Sequence, residues 1–264
     1  MRIGLEGQRA VVTGSTAGIG FAIAAGLAGA GATVVLNGRH ARSVEEAAER
    51  IREHVPAARV RGIAADLSRP AETADFIARA GEADILVNNV ATFQEQRFED
   101  IRDEDWLRYF QTNVMSGTRL SRHYLPRMLK GNWGRIVFIS SESAINVPKE
   151  MIHYGVTKAA QLAVSRGLAE LTAGSAVTVN AVLPGPTRTE GVAAGFKASS
   201  EKMGVAQDEL ERQYMAKRRA TSLLRRLETP EEVANLVVFV CSREASAING
   251  AALRVDGGVV RSIV

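Results

Sequence analysis

Residues 9–20 read RAVVTGSTAGIG, and this stretch decides the fold. It consists of a short apolar run, a glycine-rich turn at 13–20, and the start of a small-residue segment, 18–30, with the pattern of a helix. Strand, glycine turn and helix in that order open a βαβ unit, in which the glycines let the main chain approach a pyrophosphate at the helix N-terminus. The sequence therefore predicts a dinucleotide site here. The alternative interpretation is a tight turn without a ligand.

Strand and helix patterns alternate along the rest of the chain. The predicted strands are 9–13, 32–36, 59–65, 84–87, 134–139, 177–182 and 253–255, and the predicted helices are 18–30, 43–53, 68–80, 103–129, 154–171 and one that opens at Thr229. Ser43 with Glu46, and Thr229 with Glu232, have the spacing of a capping box. This alternation predicts an α/β fold with a doubly wound parallel sheet, a Rossmann fold in three α/β/α layers. We expect one domain over residues 1–264.

One segment breaks the alternation. Residues 186–228 are long, charged and partly helical in pattern, and they follow a predicted strand end. An insertion at that position is where a lid over a site would lie. Its basic cluster at 217–226 either attracts an acidic substrate or forms a salt-bridged surface, and its apolar side chains (Val192, Phe196, Met203, Met215) either line a pocket or pack the lid down.

Composition excludes several classes of protein. The 264 residues are 46% hydrophobic and 23% charged, as in an ordinary globular protein. The net charge of +4 is spread along the chain, so nucleic-acid binding is not favoured. No apolar run is long enough to span a bilayer, and the N-terminus lacks an apolar signal core. With a single cysteine, Cys241, and no histidines at ligand spacing, we expect no disulfide framework, no metal site and a cytoplasmic location.

A second stretch, residues 140–158, reads SSESAINVPKEMIHYGVTK and follows a buried strand pattern. Tyr154 and Lys158 are four residues apart, so on a helix they share one face. A serine hydroxyl from the strand end, a phenol and an ammonium can meet there and move a proton to or from an oxygen. His153 adjoins Tyr154 but faces elsewhere on a helix, and we interpret it as a packing or pocket-lining residue.

The end of the second strand bears on the choice of cofactor. In this fold an acid at that position would bind the 2′-hydroxyl of NAD, but the sequence has Asn37, Gly38 and Arg39. An arginine can bind a 2′-phosphate, which favours NADP, with NAD as the alternative. Arg39 could instead stack on adenine or point into solvent.

With these residues in place, the chain resembles the short-chain dehydrogenase/reductase family over nearly its whole length. The matching motifs are the glycine turn 13–20, Asp66-Leu67, Asn88-Asn89, Asn113, Ser141, Tyr154 with Lys158, Pro184-Gly185 and residues 256–258. Their order and their placement on the predicted strands and helices carry the resemblance.

The resemblance implies a role for each matching residue. It makes Tyr154 the acid in reduction and the base in oxidation, and Lys158 the residue that holds the nicotinamide ribose and lowers the pKa of the phenol. Ser141, 13 residues before Tyr154, would bind the substrate oxygen, and Asn113 would help to hold a water. The implied cofactor contacts are Gly14, Ser15, Thr16, Gly18, Ile19, Gly20, Asn37, Arg39, Asp66, Leu67, Asn89, Val90, Ala91, Tyr154, Lys158, Pro184, Gly185, Thr187 and Thr189.

Two departures from the family pattern matter. The usual Asn-Asn-Ala-Gly is here Asn88-Asn89-Val90-Ala91, so the turn loses a glycine and gains a side chain near the cofactor. We expect the site to tolerate this change. Ala17 stands where NADP-preferring members often have a basic residue, which leaves Arg39 to bind the phosphate.

The sequence thus predicts an NADP-preferring oxidoreductase that interconverts a ketone and a secondary alcohol of a small-molecule substrate. An enoyl (C=C) reductase of the same family is one alternative, and a catalytically silent nucleotide-binding sensor or scaffold is another. The resemblance also implies a homo-oligomer, a dimer or tetramer, with the helices predicted at 103–129 and 154–171 as interfaces. No membrane or nucleic-acid partner is expected.

Overall fold

The computed structural model describes residues 3–263, which contain seven strands and nine α-helices. The strands are β1 (Arg9–Val12), β2 (Thr33–Gly38), β3 (Arg59–Ala64), β4 (Ile85–Asn88), β5 (Gly134–Ile139), β6 (Val177–Pro184) and β7 (Ala252–Val255). The helices are α1 (Gly18–Gly29), α2 (Ala41–His54), α3 (Pro70–Ala80), α4 (Asp103–Phe110), α5 (Ser116–Lys130), α6 (Ile152–Glu170), α7 (Glu190–Met203), α8 (Gln207–Arg218) and α9 (Pro230–Val240).

All seven strands pair in parallel, in the order β3-β2-β1-β4-β5-β6-β7. The chain runs outward from β1 to β3 and then returns to place β4 on the other side of β1. The order therefore reverses between β1 and β4, which is the crevice where doubly wound sheets bind ligands, at the carboxyl ends of their strands.

Alternate side chains of each strand enter two separate cores. Val12 packs into a cluster with residues of α1, α2 and α9, whereas its neighbour Val11 packs into a second cluster with residues of α3 and α5. This period of two, with apolar residues on both faces, is what a sheet covered by helices on both sides requires. The predicted three-layer, doubly wound α/β fold is confirmed.

The glycine turn is tied closely to the sheet. A Cβ added to Gly20 would lie 2.3 Å from the carbonyl oxygen of Gly14 and 2.4 Å from Nδ2 of Asn89. Only glycine permits α1 to begin this close to the end of β1. This close approach explains why the third glycine of the motif is needed.

The capping box predicted at Ser43 and Glu46 is wrong. Helix α2 already begins at Ala41, with the extended His40 as its N-cap and no side-chain cap. Ser43 is therefore inside the first turn, where its hydroxyl donates to the carbonyl of His40, and Glu46 pairs with Arg42. The capping box at Thr229 and Glu232 is present as predicted.

The helix predicted over 103–129 is continuous but irregular. Between α4 and α5, residues Gln111–Met115 form a π-helical turn. Such turns insert one residue into a helix and change which side chains face inward. Here the turn contains Asn113.

The segment 186–228 carries α7 and α8, which lie beyond the end of β6. They contact each other edge to face through Phe196 and Tyr214, whose ring centroids are 5.7 Å apart. Within residues 3–263, no helix is both long and apolar enough to cross a membrane.

Candidate active site

A cavity of about 630 Å³ lies at the carboxyl edge of the sheet, around the point where the strand order reverses. The ends of β1, β2, β4, β5 and β6 contribute its walls, and α7 and α8 contribute the outer side. Most of the predicted cofactor contacts line it, namely Gly14, Thr16, Ile19, Asn37, Arg39, Asp66, Leu67, Asn89, Val90, Ala91, Tyr154, Lys158, Pro184, Gly185, Thr187 and Thr189. Ser141 lines it as well.

Three predicted cofactor contacts are not on the cavity wall. Ser15 is fully buried, and its hydroxyl donates to the carbonyl of Val12 and accepts from the main chain of Asn37. Gly18 and Gly20 form the buried side of the turn, where they shape the main chain. Ser15 therefore fastens the turn to β2, and the sequence pattern alone did not distinguish this role from ligand contact.

The residues at the end of β2 behave differently from one another. Asn37 is buried, accepts from the main chain of Gly14, and donates to the carbonyls of Ile63 and Ala65. It therefore holds three strand ends together. Arg39 is exposed at the cavity wall near Asp66. Burial opposes a low pKa for the Asp66 carboxyl, but the hydrogen bonds from Ser68 lower that pKa, with smaller contributions from the charges of Arg69 and Arg39. An exposed cation at this rim can bind a phosphate, whereas the amide of Asn37 is already occupied by its hydrogen bonds to the main chain.

The Val90-Ala91 departure causes no backbone strain. Among residues 3–263, the non-glycine residues with positive φ are Asn132 and Arg225, so Ala91 has an ordinary conformation that does not need glycine. The main-chain N–H of Val90 donates to Thr13, and its side chain packs partly against the core. The expected tolerance at this turn therefore has a structural basis.

Three serines follow β5 within four residues, and their hydrogen bonds differ. Ser140 donates to the main-chain carbonyl of Lys158, which joins the end of β5 to α6. Ser143 donates to Glu142. All three serines line the cavity, but Ser141, which accepts from the N–H of Ser143, is the one that interacts with the phenol of Tyr154.

Tyr154 and Lys158 lie on one face of α6, as predicted. Nζ of Lys158 lies 5.6 Å from the centre of the Tyr154 ring and donates to the carbonyl of Ile139 at 2.8 Å. Burial raises the pKa of Tyr154 to about 12, although its hydrogen bond with Ser141 opposes the rise. Burial lowers the pKa of Lys158 to about 7. The phenol therefore keeps its proton at neutral pH, while the lysine can change its charge near neutrality.

Asn113 lies behind the wall rather than on it. Its side-chain amide accepts from the N–H of Thr92 and donates to Thr157 and to the carbonyl of Thr92. The π-helical turn directs it inward to make these contacts. Protein groups therefore use the hydrogen-bonding capacity of this side chain, and its predicted role in holding a water stays a prediction.

Gln161 is a site residue that sequence reasoning missed. Its carboxamide oxygen accepts from Nζ of Lys158 at 3.2 Å, and its Nε2 donates to the main-chain carbonyl of Asn113 at 2.5 Å. All three residues are buried. One signal was available, because Gln161 is three residues after Lys158 and a polar residue there shares the inward face of α6.

Glu142 and Arg219 form a second missed feature. Nε of Arg219 donates to Oε1 of Glu142 at 3.0 Å, and both side chains are more than nine-tenths buried at the cavity wall. Arg218 beside it pairs with Glu150 at 3.0 Å. These ion pairs join the end of α8 to the loop after β5, so the salt-bridged interpretation of the basic cluster fits residues 218 and 219.

The N-terminus of α1 also has an unexpected partner. The main-chain N–H of Gly18 donates to Oε2 of Glu190 at 2.7 Å, and Arg50 lies 3.7 Å from Oε1 of the same carboxylate. The first turn of a helix attracts anions because its N–H groups are unpaired and its dipole is positive there. The first residue of α7 thus lies where a pyrophosphate would bind.

His153 is a packing residue. It is fully buried between Trp106 and Tyr109, and burial lowers the pKa of its imidazole. Among residues 3–263, no group of histidine, cysteine and acidic side chains is arranged to hold a metal ion.

The arrangement suits proton transfer to an oxygen beside a bound dinucleotide. Ser141 and Tyr154 present two O–H groups to one part of the cavity, and Lys158 is the nearest ionisable cation along the same helix face. The glycine turn, Asp66 and Arg39 lie toward the other end, where the pyrophosphate and adenosine would be held. The residues present fit such a cofactor.

Comparisons with known proteins agree with this geometry. A family model described as enoyl-(acyl carrier protein) reductase matches residues 14–260. An uncharacterized oxidoreductase, YvaG of Bacillus subtilis, is 44% identical over 263 residues and is covered completely, as is this chain. D-beta-hydroxybutyrate dehydrogenase of Rhizobium meliloti is 33% identical, with 95% of this chain and 98% of that protein covered.

Among solved structures, L-sorbose reductase from Gluconobacter frateurii, complexed with NADPH and L-sorbose, superposes with a TM-score of 0.94. It is 32% identical in sequence, and both chains are covered completely. The agreement includes α7 and α8, since the whole of each chain is matched.

Proposed function

This chain belongs to the short-chain dehydrogenase/reductase family, and on that premise we propose that it is an NADP-preferring oxidoreductase that interconverts a ketone and a secondary alcohol. It is an NAD(P)-dependent enzyme of that family. The observation that carries the finer proposal is the meeting of Ser141 and Tyr154 in one cavity, with Lys158 on the same helix face. Two adjacent O–H donors suit a carbonyl oxygen that becomes an alkoxide.

The cofactor, when bound, supplies the hydride, and the protein supplies position and the proton. Ser141 would donate a hydrogen bond to the substrate oxygen and stabilise the negative charge that develops on it. Tyr154 would transfer its phenolic proton to that oxygen in reduction and accept it back in oxidation. Because burial keeps the pKa of Tyr154 near 12, the phenol is in the protonated form that reduction needs.

Lys158 would bind the nicotinamide ribose and favour loss of the phenolic proton in the oxidative direction. Its low pKa, about 7, means that its charge depends on its hydrogen-bond partners. Gln161 and the carbonyl of Ile139 accept from the ammonium form and hold it in place.

The preference for NADP is supported by the rim of the cavity. Arg39 is exposed at the end of β2, where a 2′-phosphate would lie, and no acid takes the position that would bind a 2′-hydroxyl. The superposable L-sorbose reductase has NADPH bound. Asp66, with its carboxylate held by Ser68, would contact the adenine.

A second candidate is reduction of an activated C=C bond, because the matching family model is described as an enoyl-(acyl carrier protein) reductase. Ser141 beside Tyr154 favours the carbonyl reaction. A panel of ketones, secondary alcohols and enoyl thioesters, each tested with NADPH and NADP⁺, separates the two. Ketone reduction supports the proposal, and turnover of enoyl thioesters alone contradicts it. Binding of neither cofactor in a nicotinamide fluorescence titration would contradict the oxidoreductase proposal, and cofactor binding without turnover of any substrate would favour the silent-scaffold alternative.

We also propose that residues 186–228 act as a lid and that the protein forms a homo-oligomer. The ion pairs of Arg218 and Arg219 with the loop after β5 support the lid. Leu107 (66% exposed) and Phe110 (42%) on α4, with Val156 (45%) on α6, present apolar surface near the predicted interface helices. Light scattering after size-exclusion chromatography tests the oligomer, and a monomer at micromolar concentration would contradict it.

A further inference from the structure

We propose that Arg219 recognises the substrate by donating a hydrogen bond to an uncharged oxygen next to the reacting carbonyl, and that Glu142 positions it. The substrate class is therefore ketones with a neighbouring hydroxyl or second carbonyl oxygen. The inference deepens the proposed carbonyl reduction at Ser141 and Tyr154 and rests on it.

The guanidinium of Arg219 has an unused donor at the cavity. The side chain leaves the end of α8 and is only 8% exposed. Nε donates to Glu142, and Nη1 donates to the carbonyl of Arg218 at 2.9 Å. Nη2 has no hydrogen-bond partner within residues 3–263, and it is not among the polar atoms closed off from solvent. Since Arg219 lines the cavity, Nη2 is the donor that this side chain has left for a ligand there.

The donor lies at the substrate end of the cavity. Its partner, Glu142, directly follows Ser141 in the chain. The charges of Glu142 and Arg219 act on the Tyr154 phenol in opposite directions, so both groups are within electrostatic reach of the reacting position. The Tyr214 ring, 6.0 Å from Cζ of Arg219, and Phe93 complete the nearby wall. A second substrate oxygen close to the carbonyl would meet Nη2.

The charge of Glu142 determines whether Arg219 binds a neutral or a negatively charged substrate oxygen. Its carboxylate neutralises Arg219, and its Oε2 is closed off from solvent, so Glu142 acts through Arg219 without touching the substrate. A substrate carboxylate would be attracted by Arg219, repelled by Glu142, and stripped of water in a buried site. A hydroxyl or carbonyl oxygen gains the hydrogen bond at a much smaller cost of desolvation. The pair is therefore a recognition site for a neutral acceptor.

The recognition of a neutral oxygen by Arg219 can be tested with three probes that share a phenyl ketone: acetophenone, 2-hydroxyacetophenone and benzoylformate. They carry a methyl, a hydroxymethyl and a carboxylate group next to the same ketone. The measured quantity is kcat/KM with NADPH for each probe, expressed as ratios between probes within one protein. Intrinsic reactivity differs between the probes but is the same for every variant, so a change of ratio between variants reports the binding site.

The main variant is the double substitution Glu142→Gln with Arg219→Met, which removes the donor without leaving a buried charge unpaired. We expect the preference for 2-hydroxyacetophenone over acetophenone to fall about 10-fold or more, as for loss of a hydrogen bond to a charged donor. Glu142→Gln alone leaves Arg219 charged, so benzoylformate should gain about 5-fold or more relative to 2-hydroxyacetophenone. Arg212→Met, on the exposed side of α8, is the matched control and should change neither ratio.

The outcomes separate this inference from the proposed function. If the wild type reduces the probes but the double variant keeps the wild-type ratio, Arg219 is not the recognition residue and the proposed function stands. An unchanged benzoylformate ratio in Glu142→Gln overturns the positioning role. If no probe is reduced, the proposed function loses support. In that case, thermal shifts of the NADP⁺-loaded wild type and double variant, measured with each probe, test the inference independently of turnover. The inference fails if 2-hydroxyacetophenone stabilises the two proteins equally.

Discussion

The carboxamide of Gln161 donates to the main-chain carbonyl of Asn113 at 2.5 Å, which links the middle of α6 to the π-helical turn before α5. Its other end accepts from Nζ of Lys158. A glutamine that bridges these two groups holds the lysine at the cavity through direct hydrogen bonds. The bridge makes Gln161 a positioning residue for the proposed reaction.

Replacing Gln161 with leucine should lower kcat about 10-fold or more, because a buried ammonium and a buried carbonyl each lose a partner. The dissociation constant of NADPH should change by less than about threefold. Gln161→Glu is the companion variant. Its carboxylate favours the ammonium form, so the pKa of Lys158 and the midpoint of the pH–rate profile should rise. A wild-type kcat and profile in both variants would remove Gln161 from the mechanism.

Arg39 should control the choice between the two nicotinamide cofactors. It is exposed at the end of β2, on the cavity wall. Arg39→Asp should lower the ratio of kcat/KM for NADPH to that for NADH about 10-fold or more, since a charge-assisted contact to the 2′-phosphate is replaced by repulsion. Arg42→Asp, on the exposed face of α2, is the control. An unchanged ratio in Arg39→Asp means that another residue binds the phosphate.

Glu190 should compete with the cofactor for the N-terminus of α1. Its carboxylate accepts from the N–H of Gly18 and must move for a pyrophosphate to bind there. Glu190→Gln should therefore lower the dissociation constant of NADPH about two- to fivefold, the range of a single charge at a helix end. Glu201→Gln, exposed on the same helix, serves as the control. Weaker binding by Glu190→Gln would show that the carboxylate assists the cofactor.

Much of the fold was predictable because its signals are local. Every predicted strand is present, and the bounds of β5 match the prediction. The capping box at Thr229 could be predicted because Pro230 marks the first helical turn. The helix at Ala41 begins without a side-chain cap, so no local sequence signal indicates where it starts. The candidate site was predictable where a motif fixes the residue, as for Ser141, Tyr154 and Lys158.

The missed contacts join residues far apart in the sequence. Gln161 meets Asn113 across 48 positions, Arg219 meets Glu142 across 77, and Glu190 meets Gly18 across 172. The chain has 33 basic and 29 acidic residues, and spacing along the chain does not choose among their pairings. Only the packing of α6 on the sheet, and of α7 and α8 over its edge, selects these partners.

Glu228 should make stability depend on pH. It is buried beside the loop after β6, where Oε2 accepts from the N–H of Gly185 and burial raises the pKa of the carboxyl to about 8. The folded protein therefore binds this proton more tightly than the unfolded chain. The contribution of Glu228 to the free energy of unfolding is fully present below about pH 4.5 and is lost as the pH rises to about 8.

Urea unfolding at pH 5 and pH 8 measures this effect. The quantity to compare is the free energy of unfolding of Glu228→Gln minus that of the wild type. This difference should be larger at pH 8 than at pH 5 by about 2 kcal/mol or more, because the neutral amide does not ionise. Comparing the two proteins at each pH cancels the contribution of Lys158, whose low pKa acts in both. Equal differences at the two pH values would show that the carboxyl titrates normally.

The central claim is that Tyr154 donates the proton to the substrate oxygen. The most direct measurement is kcat of Tyr154→Phe with NADPH and the ketone that the wild type reduces fastest, together with the dissociation constant of NADPH. We predict that kcat falls about 10²- to 10⁴-fold, as for loss of a general acid, while cofactor affinity stays within about threefold of wild type. Turnover at the wild-type rate, with the cofactor bound normally, would contradict the account.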